Sequence, residues 1–182
     1  MVYVFLADGF EEIEGLTVVD LLRRAEIETM MVSIQDTPAV MGAHKIPVTA
    51  DLTIANVPDK APEMVVLPGG MPGTLNLKAD ERVRSKVAKN LAEDRYIAAI
   101  CAAPSVFADM GILKGKTATS YPNFEECLKE AGANYIYDQV AVDGKIITSR
   151  GMGTAIAFAG KIIEVLKDKE TAERILDSIV YE

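Results

Sequence analysis

Three short, almost wholly apolar runs, Val2 to Ala7, Glu63 to Leu67 and Ile97 to Ile100, do most to limit how this chain can fold. A strand buried on both faces needs such a run, and strands of that kind sit in parallel sheets covered by helices. Each run leads on to a helical pattern. From Glu11 to Arg24 the acids stand first and Arg23-Arg24 last, which matches the helix dipole at both ends. Asp80 to Arg95 repeats Val83, Val87 and Leu91 along one face, and Pro104 suits the first turn of a helix that follows Ile100. This alternation predicts an α/β fold, a flavodoxin-like three-layer sandwich with a mostly parallel central sheet.

The remaining segments fit around that frame. Ile27 to Ile34 reads as a second strand, and Pro38 to Val48, with Gly42 and Pro47, as a small hairpin excursion. Asp51 to Ala61 reads as an irregular connection. Lys116 to Ser120 is expected to be a short strand, followed by a helix with Phe124, Leu128 and Ala131 on its apolar stripe. Tyr135 to Val142 and Lys145 to Ser149 flank Asp143-Gly144, a strong hairpin signal. Gly151-Met152-Gly153 opens a helix through Leu166 that is apolar on most faces, and Glu170 to Tyr181 forms the last helix. No repeat or linker divides the chain, so residues 1–182 are expected to form one domain.

Charge and cysteine usage exclude several classes. Nineteen basic against 27 acidic residues give a net charge of −8, which argues against nucleic acid or anionic membrane as a partner. No apolar run approaches the ~18 residues of a membrane span. Two cysteines cannot build a disulfide framework, and one histidine with two separated cysteines shows no zinc-ligand spacing, so no metal site is expected. The N-terminus opens directly into a strand with no signal-peptide pattern, and the reducing cytoplasm is the expected compartment.

In such sheets the ligand crevice lies at the carboxyl ends of the strands, so four loops should converge there. They carry Asp8 to Glu14, Pro68-Gly69-Gly70-Met71, Cys101 and Ser149-Arg150-Gly151. Cys101 falls on a strand-to-helix bend flanked by Ala102 and Ala103, as in a nucleophile elbow, and a helix N-terminus beyond it favours a low-pKa thiolate. By position alone, a free cysteine is most often a small buried hydrophobe. Glu14 is the carboxylate able to point into the crevice; burial beside a thiol would keep it protonated, as a hydrogen-bond donor. Gly69 and Gly70 can bring backbone N–H groups to a ligand and form an oxyanion hole with Ala102, or simply make a tight turn. Cys127 reads as a packed core or boundary thiol, and His44, outside the four loops, as an exposed edge histidine without a role. Neither the dinucleotide nor the mononucleotide glycine motif is present.

Ala7-Asp-Gly-Phe-Glu-Glu-Ile-Glu14, Val65-Val-Leu-Pro-Gly-Gly70, Ala98-Ala-Ile-Cys-Ala-Ala-Pro104 and Thr148-Ser-Arg-Gly-Met-Gly-Thr154 together resemble the ThiJ/PfpI superfamily, in the branch containing the Parkinsonism-associated protein deglycase. The resemblance runs over essentially the whole length. It implies that Cys101 is an oxidisable nucleophile, Glu14 a protonated glutamate beside it, and Gly69, Gly70 and Ala102 the oxyanion-binding backbone. It also implies a homodimer, with His44 near the contact. The implied activities are cofactor-independent conversion of methylglyoxal to lactate, deglycation of dicarbonyl adducts, peroxide sensing through sulfinate formation, and chaperone action. Ala102 stands where the protease branch has histidine, and no histidine follows Cys101 to serve an amidotransferase. Three pocket positions depart from the family pattern: Tyr121 replaces a histidine, Met71 a polar residue, and Met152 the proline of Gly-Pro-Gly.

Overall fold

The computed structural model describes residues 1–181; Glu182, the last residue of the expected domain, lies outside the described residues. The first half of the chain contributes β1 (Val2–Leu6), α1 (Glu12–Arg24), β2 (Thr29–Ser33), β3 (Ala39–Met41), β4 (Pro47–Thr49), β5 (Leu52–Thr53) and β6 (Met64–Leu67). After these come α2 (Gly73–Ala79), α3 (Glu81–Ala92), β7 (Tyr96–Ile100) and α4 (Pro104–Asp109). The chain then continues through β8 (Thr117–Ala118), α5 (Glu125–Glu130), β9 (Asn134–Tyr135), β10 (Val140–Asp143), β11 (Ile146–Ser149), α6 (Ala155–Leu166) and α7 (Lys169–Ser178).

Seven strands form one sheet in the order β10-β11-β7-β6-β1-β2-β5, parallel throughout except for the β10–β11 hairpin. Alternation along each strand sends side chains to two separate cores. Val4, Leu6, Val66, Ala98 and Ile147 pack with Leu22 of α1, Phe158 and Ile162 of α6 and Ile175 of α7. Tyr3, Phe5, Leu67, Ile97 and Ala99 pack on the other face with Leu77, Val83, Val87, Phe107 and Leu128. This is the expected mostly parallel sheet between helical layers, with β3 and β4 pairing as the expected hairpin excursion.

Several local expectations are corrected. Leu52–Thr53 pairs with β2 as an edge strand inside the segment read as irregular. Gly73–Ala79 is a helix in a stretch to which the sequence assigned no element, since its apolar residues are too few to show a period. Tyr135 to Val142 is not one strand: Asn134–Tyr135 pairs in parallel with β8, and only Val140–Asp143 pairs with β11. Cys127 is exposed rather than packed, because the stripe of the short α5 turns Leu128 inward and leaves its neighbour outside. Asp80 caps α3 by accepting from the N–H groups of Arg82 and Val83. Asp80→Ala is therefore expected to lose about 1 kcal/mol of stability, read as a lower urea midpoint with unchanged slope.

Candidate active site

β1 pairs with β2 on one side and β6 on the other, so the chain reverses its direction across the sheet beside β1. A crevice opens at such a switch point, beyond the carboxyl ends of the strands. β11 runs parallel to β7, which brings the turn after Ser149 to the same end as the turns after Leu6, Leu67 and Ile100. Backbone hydrogen bonds knit these turns together. Glu11 N–H donates to Gly69 O at 2.9 Å, Gly73 N–H to Gly9 O at 3.1 Å, and Cys101 N–H to Ser149 O at 3.0 Å. Tyr121 N–H in turn donates to Cys101 O at 2.8 Å.

Cys101 adopts φ +65°, the left-handed region that costs a residue with a Cβ roughly 1–3 kcal/mol. Such backbone strain on a strand-to-helix turn is what an elbow requires to hold a side chain outward. The backbone N–H groups of Ala102 and Gly70 lie near its sulfur and favour the thiolate. Glu14 is 1% exposed and enters from α1; its Oε2 accepts from Gly69 N–H at 2.9 Å. Among the described residues, no N–H or O–H reaches Glu14 Oε1, and the Cys101 thiol couples to the same carboxyl. A Cβ placed on Gly151 would lie 3.9 Å from both Cys101 Sγ and Glu14 Oε1, so the two atoms border one point.

Two expectations about this constellation change. Gly69 N–H, expected to face an oxyanion, is held by Glu14 Oε2 and fixes the carboxyl, while the Gly70 and Ala102 amides are the ones beside the sulfur. Nor does the thiol start as a low-pKa group. Burial, the negative charge of Glu14 and its hydrogen bond push Cys101 up to about 12, against the pull of the Ala102 and Gly70 amides. The six-residue α4 is too short to supply the full dipole of a longer helix. Burial also raises Glu14, to about 7, against its hydrogen bonds with Cys101 and Gly69, so carboxyl and thiol titrate as a pair. An ionised Glu14 would leave Oε1 buried without a strong donor, whereas a protonated one can donate from it towards sulfur.

The pocket wall is more apolar than polar. Tyr121, Met71 and Met152 are all exposed; Tyr121 and Met152 line the hollow beside Gly151 whereas Met71 does not, and Tyr121 Cδ2 would lie 3.5 Å from a Cβ on Gly151. Thr154 Oγ1 accepts from Gly151 N–H at 3.1 Å and meets Ser149 Oγ at 2.7 Å, fixing the turn beside Cys101. Spacing alone gave no sign of that pairing.

His44 is exposed on the hairpin, as expected, but it has close carboxylate partners. Its Nδ1 lies 3.0 Å from Glu12 Oε2 and 3.5 Å from Glu11 Oε2, and its N–H donates to Glu12 Oε1 at 2.7 Å. The hydrogen bond to Glu12 raises the imidazole, so it carries charge more readily than a free histidine. Burial pushes Glu12 up, but bonds from the His44 ring, its own backbone and the His44 and Ile46 amides hold it below the usual carboxylate range. Glu11, Glu12 and His44 have ligand atoms within 4.8 Å of one another, close enough to share a divalent cation. The imidazole is occupied here by Glu12, a contact between residues 32 apart in the chain that no local pattern announces.

The family model described as DJ-1/PfpI matches residues 1–165. The chain belongs to the DJ-1/PfpI family. Among relatives in this family, Protein DJ-1 homolog A of Arabidopsis thaliana is 36% identical over 96% of the chain, which spans only 45% of that protein's length. The Deglycase PYRAB04690 of Pyrococcus abyssi is 30% identical over 91% of this chain and 99% of its own. Oxidised Toxoplasma gondii DJ-1 superposes with a TM-score of 0.94 at 36% identity, covering 99% of this chain and 97% of that one. The DJ-1-type α/β fold is therefore shared as well as the sequence. Among the described residues, no helix is long and apolar enough to cross a membrane.

Proposed function

We propose that this DJ-1/PfpI protein is a cofactor-independent glyoxalase, converting methylglyoxal to lactate, with deglycation of dicarbonyl adducts as a related activity. The observation that carries this reading is the left-handed turn that sets Cys101 Sγ beside the buried Glu14 carboxyl, itself held by Gly69 N–H, with one point 3.9 Å from both Sγ and Oε1. The relative named a deglycase supports the same chemistry. A free thiol suits the cytoplasm, and a homodimer is the assembly proposed.

The chemistry balances without an external redox partner. Cys101 Sγ adds to the aldehyde carbon, and the oxyanion that forms is met by the Gly70 and Ala102 amides and takes up a proton. Glu14, as carboxylate, then removes the hydrogen of that carbon as a proton and returns it to the neighbouring ketone carbon. The first carbon is oxidised to a thioester while the second is reduced to an alcohol. Water cleaves the thioester, releasing lactate and regenerating the thiol. Tyr121 cannot take over the base role near neutral pH, since an unperturbed phenol titrates at about 10. The test is lactate formation from methylglyoxal by purified protein, with Cys101→Ser as reference. Turnover that depends on Cys101 is expected, and equal rates for the two proteins would end the enzyme reading.

A second reading, peroxide sensing or chaperone action through Cys101 oxidation, is favoured by one feature. The unpartnered Glu14 Oε1 and the two amides around Sγ could hydrogen-bond the oxygens of a sulfinate. The oxidised Toxoplasma relative is in keeping with it. Intact mass under graded peroxide would then show two oxygens on Cys101 before the exposed Cys127 or the methionines change.

A further inference from the structure

The hollow beside Cys101 is larger and more asymmetric than methylglyoxal requires. It measures about 410 Å³, within the range of sites that hold much bigger ligands, and Tyr121, Tyr137, Gln139, Arg150, Met152 and Thr154 line it. Cys101 does not itself line the hollow; Gly151 belongs to its wall, and a Cβ on Gly151 would lie 3.9 Å from Cys101 Sγ, so the hollow and the sulfur adjoin at this turn. One side is a fixed aromatic surface. Tyr137 is 62% exposed, yet its hydroxyl donates to Glu125 Oε1 at 2.6 Å and its ring meets Tyr135 edge-on at 5.4 Å between centroids. Lys129 neutralises that glutamate, with Nζ 2.6 Å from the same oxygen.

Arg150 forms no ion pair, although Glu125 lies near enough to feel its charge. Its guanidinium stands 5.8 Å from the Tyr137 ring centroid, and Nη1 donates to Tyr137 O at 3.3 Å. Among the described residues, no carboxylate lies within ion-pair distance of it, in a chain whose net charge is −8. A guanidinium held over an aromatic face keeps most of its donors free, and its planar fork matches a carboxylate. Flat apolar walls with one free cation complement an aromatic or other apolar body that bears an anion.

We propose that this pocket binds a carboxylate-bearing arm of the substrate, with Arg150 as its anion contact, while the carbonyl end reacts at Cys101. The preferred substrates are then dicarbonyls, or their adducts, that carry a carboxylate on an apolar or aromatic frame. The proposal deepens the glyoxalase reading by naming its substrate class, but the recognition step needs only that Cys101 be the reacting group.

The test therefore uses alkylation instead of turnover. Cys101 attacks the methylene carbon of a bromomethyl ketone, forming a C–S bond and expelling bromide. 4-(Bromoacetyl)benzoate and 2-bromoacetophenone differ by the carboxylate, and each rate is normalised to reaction with mercaptoethanol. Intact mass follows modification in a Cys127→Ser background. The carboxylated reagent is expected to react about tenfold faster, the gain of a charged hydrogen bond. Arg150→Gln should bring the ratio to about one, and Arg150→Lys should leave an intermediate preference. Because the ratio is read, a general loss of reactivity in a variant cancels. A wild-type ratio near one, a preference that survives Arg150→Gln, or a Cys101 unreactive to both reagents would overturn the proposal. A protein that makes no lactate yet shows the Arg150-dependent preference would lose the glyoxalase reading and keep the pocket.

Discussion

Glu14→Gln is expected to lower lactate formation from methylglyoxal by a factor of about 10²–10⁴, the usual contribution of a positioned acid–base group. It should also move the pH at which Cys101 becomes reactive. Below about pH 7 both groups of the wild-type pair are protonated, and one proton leaves near 7, the other near 12. Between those values the thiolate with a carboxylic acid holds as many protons as the thiol with a carboxylate. The share of thiolate is then independent of pH, so alkylation of Cys101 should rise through about pH 7 and stay level above it. Without an ionisable partner, the variant's thiol must lose its own proton, and burial opposes that. Its rate should therefore rise only at higher pH. A rate profile that stays in place in Glu14→Gln would sink the coupling.

The same carboxyl links folding to pH. Its folded pKa, about 7, lies above the ordinary 4.5, so the folded chain holds this proton more tightly than the unfolded one. The corresponding stability is fully present below about pH 4.5 and is lost as pH rises through about 7. Glutamine has no charge to bury. Urea midpoints at pH 4.5 and 8 should fall less for Glu14→Gln than for wild type.

Gly69→Ala is expected to reduce Cys101 alkylation and lactate formation nearly to the level of Cys101→Ser. The added Cβ would lie 2.6 Å from both Cys101 Cβ and Glu14 Oε2, and 3.0 Å from Ile100 O. Ile100 O is backbone in the central sheet, so relief must come from the elbow or from α1. Either movement separates sulfur from carboxyl. Overpacking of this kind costs about 1–3 kcal/mol, which should appear as a lower urea midpoint. A Gly69→Ala protein with wild-type alkylation rates would show that the close approach is not needed.

The sheet was legible because Val2 to Ala7, Glu63 to Leu67 and Ile97 to Ile100 have few polar residues to dispute their burial. The Asp143-Gly144 turn likewise announced its hairpin. β5 and α2 were not legible: two paired residues and seven helical ones give too short a window for periodicity to emerge. At the site, the four turns were visible as motifs, but the division of labour between neighbouring amides was not. Whether Gly69 or Gly70 faces the sulfur depends on the direction of single peptide planes, which residue type does not encode. The electrostatics of Cys101 were misjudged for a related reason. Sequence shows a helix following the cysteine and places Glu14 beside it, but not how deeply the sulfur is buried. The partner of His44 was missed because it is reached only through the fold of the β3–β4 hairpin onto α1.

The φ of +65° at Cys101 bears on how such a site persists over many generations of sequence change. Glycine or asparagine would sit in that conformation with less strain, so random substitution at this one position drifts towards a more stable and chemically inert protein. A sulfur kept there opposes the thermodynamic gradient of the fold. Among related chains, a relaxed residue at this turn would mark a member that has kept the scaffold and abandoned the reaction.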